Sequence, residues 1–228
     1  MTLLAAIDTS TDIASLALVK DGLTITELTW RSGQNHTVQL LPNLVHILKL
    51  VGLETGAVNA VAVAKGPGSF NGLRVGVSAA KGLAFSLDIP IIGISSLEVE
   101  AYQYADISLP VCPVFNAGRG EIATALYQKQ SSGWKQLREE QITDIEKLCA
   151  RTMEKTLFCG EFLPAISSQL TANLAEKAVI ASPITNMRRA GYLAELGMKR
   201  MAAGETDDVA TLQPVYLRRP AITVAKHR

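Results

Sequence analysis

Apolar and polar residues alternate at the start of the chain in a pattern that predicts a meander of three strands. Leu3 to Asp8 is a short apolar run that stops at the polar tetrad Asp8-Thr9-Ser10-Thr11. Ile13 to Lys20 then alternates up to an Asp21-Gly22 turn, and Leu23 to Trp30 completes the meander.

The hydrophobic period changes to that of a helix at about Asn35 and holds to Val51, with Gly52 placed as a C-terminal cap. Pro42 inside this pattern predicts a kink or a late start of the helix. The rest of the first half alternates strand and helix patterns: a strand at Ala60 to Lys65, a helix at Asn71 to Leu87 capped by Ser69 or Asn71, a strand at Ile89 to Ser95 and a helix at Ser96 to Tyr104.

The second half repeats this order of elements without repeating its residues. Its predicted strands lie at Val111 to Asn116, Glu121 to Gln128, Trp134 to Glu139, Thr156 to Cys159 and Ala178 to Ala181, and its predicted helices at Asp144 to Arg151, Ala165 to Glu176 and Met187 to Ala203. Two such units predict an α/β fold of two ribonuclease-H-like lobes, with mixed sheets flanked by helices and a cleft between them. We place an N-terminal lobe at 1–106 and a C-terminal lobe at 107–228.

The charge balance argues against a chain that binds nucleic acid by itself. Its 22 Lys+Arg and 21 Asp+Glu residues leave a net charge of +1, which is too small to hold a polyanion by counterion release. Basic pairs such as Arg188-Arg189 are more often simply solvated. The longest apolar runs are too short to cross a bilayer and no signal peptide is visible, so we expect a cytoplasmic protein with no membrane segment.

The number and spacing of the cysteines and histidines argue against a metal site or a disulfide framework. Three cysteines, Cys112, Cys149 and Cys159, are an odd number without metal-ligand spacing, and they fit ordinary buried or half-buried thiols. His36 and His46 do not share a helix face, so no metal site is predicted.

Two segments are candidates for binding an anion or a nucleotide. Asp8, Thr9 and Ser10 lie in the first hairpin turn, where an acidic residue and hydroxyls suit a phosphate and its magnesium ion, although a turn-closing role is the more frequent alternative. Gly66, Gly68 and Ser69 belong to a glycine-rich loop that runs from a strand into a helix N-terminus, which suits an anion. That loop has neither the spacing of a P-loop nor that of a nucleophile elbow.

Two helices carry more apolar surface than a one-sided helix needs. The helix after the glycine loop presents small or apolar residues opposite its core stripe, namely Val75, Ser78, Ala79, Gly82, Phe85 and Ser86. The helix before it has two adjacent stripes: Val38, Leu41, Val45 and Leu48, and Leu40, Leu44, Ile47 and Val51. We interpret these faces as an association site, the alternative being that both helices are enclosed by the chain's own layers.

Several motifs, taken in order, resemble the bacterial TsaB family, also called YeaZ. They are Ile7-Asp8-Thr9-Ser10-Thr11, Gln39-Leu40-Leu41-Pro42, the long stretch from Gly66-Pro67-Gly68-Ser69-Phe70-Asn71 to Gly72-Leu73-Arg74-Val75-Gly76, and Pro214-Val215-Tyr216-Leu217-Arg218. The glycine-loop motif is the most specific of these. The resemblance implies the fold of actin, Hsp70 and sugar kinases.

The same resemblance implies a non-catalytic subunit that pairs with a TsaD-like catalytic subunit and with a TsaE-like ATPase. The assembly adds a threonylcarbamoyl group to N6 of the adenosine beside the anticodon of tRNAs that read codons starting with A, so tRNA is met only through the complex. The family's dimer surface implies a partner interface at His36, Gln39, Leu40, Asn43, Leu44, Ile47, Asn71, Arg74, Val75, Ser78, Ala79 and Gly82.

Two departures from the family pattern bear on nucleotide binding. Asn71 replaces a usual Thr, and Asn116-Ala117-Gly118-Arg119 stands where the family commonly has Asp-Ala-Arg. We therefore expect no cofactor of the chain's own, with ATP and magnesium considered only at the interface of the complex. The alternatives are a stand-alone ATP-dependent phosphotransferase, a peptidase, or a homodimer when the partner is absent. Leu44→Glu or Ala79→Arg should break association and leave the fold intact.

Overall fold

Two five-stranded mixed sheets make up the computed structural model, which describes residues 2–218. The strands are β1 (Leu3–Asp8), β2 (Ile13–Lys20), β3 (Leu23–Arg31), β4 (Ala60–Gly66), β5 (Ile91–Ser95), β6 (Val111–Gly118), β7 (Glu121–Gln130), β8 (Gly133–Thr143), β9 (Thr156–Cys159) and β10 (Ala178–Ile180). The helices are α1 (His36–Leu50), α2 (Phe70–Leu87), α3 (Ser96–Tyr102), α4 (Ile145–Arg151), α5 (Leu163–Leu174) and α6 (Ala190–Ala202).

The second sheet repeats the topology of the first. The first sheet has the order β3-β2-β1-β4-β5, with an antiparallel meander on one side of β1 and parallel strands on the other. The second has the order β10-β9-β6-β7-β8, in which β6 occupies the place of β1. The predicted pair of three-strand-then-alternating units is therefore confirmed.

Helices cover both faces of the first sheet, which explains why its central strands are apolar throughout. Residues of β1 such as Ala5 and Ile7 pack against α1 and α2, while Leu4 and Ala6 pack against α6. Helix α3 lies between the two sheets, so that Leu97 belongs to the core of the second lobe and Val99 to that of the first. A strand buried on both faces reads as a continuous hydrophobic run.

Residues 190–215 pack on the first sheet, although the sequence places them in a C-terminal lobe at 107–228. Leu193 and Ala194 of α6 are fully buried against β1, β2, β4 and β5. Beyond α6, Asp207 pairs with Ile91 at the edge of β5, and the amide of Val215 donates to the carbonyl of Lys65 at 2.6 Å. Sequence periodicity identified α6 but carries no information on which sheet its apolar face would cover.

The ends of the two central helices follow local sequence signals. The Ser69 hydroxyl caps α2 by accepting from the Gly72 amide at 3.4 Å, which confirms Ser69 as the cap. Helix α1 begins at His36, well before Pro42, so the late start considered from the sequence is wrong. Gly52 takes φ +68° just after α1, as the predicted C-terminal glycine requires.

Candidate functional site

Helix α1 turns one of its two apolar stripes inward and the other outward. Leu40, Leu44 and Ile47 are at most 2% exposed and pack against β-strands of the first lobe, together with Leu48. The outward stripe consists of Val38, Leu41 and Val45, which are 69%, 50% and 41% exposed.

The structure therefore corrects four of the residues assigned to a partner interface. Leu40, Leu44 and Ile47 belong to the chain's own core, and His36 is buried against the first turn of α2. Burial also lowers the pKa of His36, against a raising effect from a hydrogen bond with the Thr11 backbone. These four side chains lie inside the fold of the isolated chain.

Two further interface candidates on α1 are half-buried. The Oε1 atom of Gln39 accepts hydrogen bonds from Trp30 Nε1 and Ser32 Oγ, both at 2.9 Å, and so fastens the end of β3 to the helix. Asn43, one turn further along α1, is also only partly exposed. Gln39 thus has a structural role besides the one assigned to it from the sequence.

Helix α2 presents outward the face that the sequence predicts. Asn71, Arg74, Ser78 and Gly82 are exposed, and a Cβ added at Gly82 would have open space around it. Val75 and Ala79 are half-buried on the same side, between α2 and its neighbours, and Phe85 is 82% exposed. We call the outward residues of both helices the α1–α2 face: Val38, Leu41, Val45, Asn71, Arg74, Val75, Ser78, Ala79, Gly82 and Phe85.

The first turn of α2 carries a small aromatic cluster at one end of the α1–α2 face. The guanidinium carbon of Arg74 lies 3.8 Å from the centre of the Phe70 ring, and Arg74 Nε donates to the Tyr216 hydroxyl at 3.4 Å. The rings of Phe70 and Tyr216 are 5.1 Å apart. Stacking of this kind restricts the Arg74 side chain and leaves it at the surface.

The glycines at the start of α2 serve close packing against the chain's own first hairpin turn. A Cβ at Gly68 would overlap the carbonyl oxygen of Ser10, and one at Gly72 would overlap that of Thr9. Thr9 Oγ1 donates to the Gly72 carbonyl at 2.7 Å, and the Ser69 amide donates to the Ser10 carbonyl at 2.7 Å. The spacing that suggested an anion cradle is explained by this contact. Gly66, with φ +113°, similarly accommodates the carbonyl of Val215.

The Asp8 side chain closes the first hairpin turn by accepting hydrogen bonds from Ser10. Its Oδ1 atom accepts hydrogen bonds from the Ser10 amide at 2.8 Å and the Ser10 hydroxyl at 2.6 Å. Asp8, Thr9 and Ser10 are at most 1% exposed. This is the turn-closing arrangement that the sequence left open as the alternative to phosphate binding.

Arg188 donates a hydrogen bond to the other carboxylate oxygen of Asp8. It is the main site residue that the sequence did not predict. Its Nε donates to Asp8 Oδ2 at 2.9 Å, and its side chain is 1% exposed. The Arg188-Arg189 pair had the sequence signature of a solvated cluster, and that interpretation holds only for Arg189, which is exposed beside Glu27. Nothing local in the sequence distinguishes the two arginines, because the partner of Arg188 lies at the opposite end of the chain.

A magnesium-bound nucleotide, which this type of fold would hold at the first hairpin turn, does not fit these residues. Asp8 Oδ1 already accepts two hydrogen bonds, and Oδ2 faces the buried guanidinium of Arg188, so a metal ion at Asp8 would meet a fixed positive charge. At the matching turn of the second lobe, Asn116 Oδ1 accepts from the Gly118 amide at 2.8 Å. Among residues 2–218, no group of three or more His, Cys, Asp or Glu side chains is arranged to hold a metal ion.

Glu100 adds a third acidic group near Arg188. Burial raises its pKa to about 8, the Arg188 guanidinium opposes that rise, and the carboxylates of Glu161 and Asp8 add to it. Its Oε1 atom accepts from Gln103 Nε2 at 2.8 Å, and its Oε2 lies 3.8 Å from Arg188 Nη1. Burial and the acidic neighbours of Glu100 thus favour its protonated form.

A cavity of about 320 Å³ lies between the lobes beside this cluster. It is lined by Thr11, Asp12, Gly68, Ser69, Phe115, Asn116, Glu161 and Phe162. Two of these side chains are acidic and none is basic, so the lining does not favour a phosphate.

The cysteines fulfil the expectation of ordinary thiols. Cys112 and Cys159 are buried and Cys149 is half-buried, and none forms a disulfide. Burial raises the pKa of all three thiols, which keeps them protonated and unreactive at neutral pH.

The small basic cluster at the end of the sequence, Lys226-His227-Arg228, lies outside the described residues.

Comparison with known proteins identifies the family. Residues 31–226 match the family model described as TsaD: tRNA N6-adenosine threonylcarbamoyltransferase. The chain is 34% identical over 221 residues to the tRNA threonylcarbamoyladenosine biosynthesis protein TsaB of Bacillus subtilis, which covers 96% of this chain and 94% of that protein. The chain belongs to the TsaB family.

The TsaB family also supplies a close structural match. YeaZ from Pseudomonas aeruginosa superposes with a TM-score of 0.83 at 25% identity, over 95% of this chain and all of that chain (100%). A tRNA N6-adenosine threonylcarbamoyltransferase of Symbiobacterium thermophilum is 35% identical over 96 residues, which are 40% of this chain and 28% of that enzyme. The predicted two-lobed fold of actin, Hsp70 and sugar kinases is confirmed.

Within the described residues, no helix combines the length and apolar character needed to span a bilayer.

Proposed function

We propose that this TsaB-family chain works in the biosynthesis of threonylcarbamoyladenosine in tRNA, as an accessory subunit that docks on a TsaD-like threonylcarbamoyltransferase and activates it. The observation that carries the proposal is the α1–α2 face, an outward surface of apolar and small residues whose inward counterparts already fill the core. Its relatives named TsaB support the pathway.

The α1–α2 face exposes several large apolar side chains. Val38, Leu41, Val45 and Phe85 are 41–82% exposed on adjacent helices, and exposed apolar surface of this kind is typical of a docking site. Ser78, Ala79 and Gly82 form a shallow stripe with little side-chain bulk, which lets the backbone of a second helix approach closely. The surface thus fits a pair of helices from a partner.

A TsaD-like subunit is the partner that best fits this surface. The chain shares sequence with a threonylcarbamoyltransferase, so such an enzyme can present a related pair of helices and form a pseudo-two-fold interface. When the enzyme is absent, two copies of this chain can pair through the same face, and we propose a homodimer as that substitute assembly. A TsaE-like ATPase is proposed as the third component.

We further propose that the chain is non-catalytic and acts in the cytoplasm, where it meets tRNA only within the complex. Support comes from the engagement of Asp8 by Arg188 and from the buried state of Ser10, which leave neither a metal ligand nor a serine nucleophile accessible in the first turn. The net charge of +1 also gives the chain little affinity for a polyanion.

Reconstitution of the modification reaction tests this function. Unmodified tRNA is incubated with the threonylcarbamoyl donor, a TsaD-like subunit and a TsaE-like ATPase, with or without this chain, and the modified nucleoside is measured by mass spectrometry. We expect multiple turnovers only when the chain is present and no product from the chain alone. Equal yields with and without the chain would refute the accessory role, and product from the chain alone would refute the non-catalytic one.

A further inference from the structure

Arg188 lies where the polypeptide leaves the second lobe and enters α6 on the first sheet, and it contacts both lobes. On the first lobe, its Nε and Nη2 atoms donate to Asp8 Oδ2 at 2.9 Å and to Thr11 Oγ1 at 2.7 Å. On the second lobe, its Nη1 atom lies 3.0 Å from Glu161 Oε1, and its guanidinium carbon is 5.0 Å from the centre of the Phe115 ring.

A direct hydrogen bond between the lobes runs beside this arginine. Thr11 Oγ1, which accepts from Arg188, donates its own proton to Glu161 Oε1 at 2.6 Å. Asp8, Thr11 and Glu161 thus form with Arg188 one connected polar network that spans the cleft. Removing Arg188 would leave the buried Asp8 carboxylate without its cation, which costs more than the loss of a single surface contact.

A single cation faces three acidic groups in this cluster. Burial works to lower the pKa of Arg188, but the carboxylates of Asp8, Glu161 and Glu100 outweigh it, so the pKa of the guanidinium is raised above its ordinary value. The guanidinium therefore stays charged, and it lies against Asp8 in the hairpin turn that the sequence made a candidate site for a phosphate and its magnesium ion. Arg188 is covalently part of the chain, whereas a metal-bound nucleotide must be captured from solution.

We propose that Arg188 is a built-in cation that tethers the two lobes through Asp8 and Glu161, so that the lobes keep their closed arrangement without a metal-bound nucleotide. Arg188 is in this sense a positioning residue. The tether forms within one chain and requires no partner subunit.

The first test compares Arg188→Gln with Arg189→Gln, its sequence neighbour, whose exposed guanidinium pairs with Glu27 of the first sheet. Small-angle X-ray scattering, collected behind size-exclusion chromatography so that all variants are compared in the same oligomeric state, reports the separation of the lobes, and a thermal scan reports stability. We expect Arg188→Gln to increase the radius of gyration and to lower Tm by about 10 °C, and Arg189→Gln to leave the scattering unchanged and shift Tm by about 2 °C or less. Indistinguishable scattering from the two variants would overturn the proposal.

A double variant covers the case in which Arg188→Gln does not fold. Asp8→Asn together with Arg188→Gln removes both charges, so no unpaired carboxylate is left at Asp8 and part of the Tm should be recovered. The double variant should nevertheless scatter as the more open particle. A wild-type scattering profile for this variant would mean that the lobes are held by other contacts.

A third test uses the wild-type chain and requires no substitution. Addition of MgATP should change neither the scattering nor Tm if Arg188 already supplies the cation at Asp8. Compaction and a rise in Tm with MgATP, both lost in Asp8→Asn, would show that the turn binds a nucleotide and that the proposal is wrong.

Discussion

Leu41 and Leu44 lie one turn apart on α1 yet meet opposite environments, since Leu41 is 50% exposed and Leu44 is 2% exposed. Leu44 packs in the core of the first lobe, whereas Leu41 belongs to the α1–α2 face. The two leucines therefore separate the requirements of folding from those of docking.

The first prediction uses this pair. Leu44→Glu places a charge in the core and should lower the free energy of unfolding by about 3–5 kcal/mol, measured by urea denaturation. Leu41→Glu should change it by about 0.5 kcal/mol or less and should weaken binding to a TsaD-like subunit by at least about tenfold. This reverses the expectation from the sequence that Leu44→Glu would spare the fold. A stable, well-folded Leu44→Glu chain would show that α1 does not pack as described.

Substitutions at Gly82 should raise the stability of the fold and lower its affinity for the partner. Because nothing lies within 4 Å of an added Cβ, Gly82→Ala should stabilise α2 and raise the free energy of unfolding by about 1 kcal/mol. If a partner helix approaches at this point, the same methyl group should weaken docking, and Gly82→Arg should abolish it. Thermal unfolding and binding of both variants are the measurements. Docking of Gly82→Arg with wild-type affinity would place the interface elsewhere.

Gly72→Ala tests the contact between α2 and the first hairpin turn. Its Cβ would overlap the Thr9 carbonyl, which is backbone and cannot rotate away, so we expect a loss of about 3 kcal/mol or more in the free energy of unfolding. Gly56→Ala is the matched control because its Cβ would meet nothing within 4 Å. Similar stability of the two variants would contradict the close packing described for Gly72.

Glu100 predicts a pH dependence of stability. Its pKa is about 8 in the folded chain against an ordinary value of 4.5, so the folded state retains a proton that the unfolded state releases. The stabilisation from Glu100 is fully present below pH 4.5 and is lost as the pH rises to 8, by about 1.4 kcal/mol for each pKa unit of separation. Glu100→Gln mimics the protonated form and should remove this loss.

The measurement for Glu100 is urea denaturation at pH 5 and pH 9. Glu100→Gln and the wild type should have similar stability at the lower pH, and the variant should be the more stable at the higher one. Glu54→Gln, at an exposed position, serves as the control and should follow the wild type at both. A wild-type pH profile for Glu100→Gln would mean that this carboxyl group is ionised throughout the range.

Local patterns in the sequence predicted the order of the elements and the outward face of α2. Ser69 is identified as a cap by its own position, and residues such as Ser78 and Gly82 are too small to fill a core. The two stripes of α1 were harder to separate, because both are apolar and adjacent. Only packing against the sheet decides that Leu44 faces inward and Leu41 outward.

The features that the sequence did not predict arise from contacts between residues far apart in the chain. Arg188 meets Asp8 only because α6 returns to the first sheet, and no local pattern encodes that return. Likewise, the glycine spacing of the loop before α2 fits both an anion site and close backbone packing. The carbonyl oxygens of Thr9 and Ser10, which decide between them, are brought there by the tertiary fold.

The most direct test of the proposed docking is a calorimetric titration of a TsaD-like subunit with the wild-type chain and with the Leu41→Glu/Gly82→Arg double variant. We predict a one-to-one complex for the wild type and no detectable heat of binding for the variant, which should remain folded by circular dichroism. Equal affinities for the two chains, or no binding by the wild type, would contradict the account.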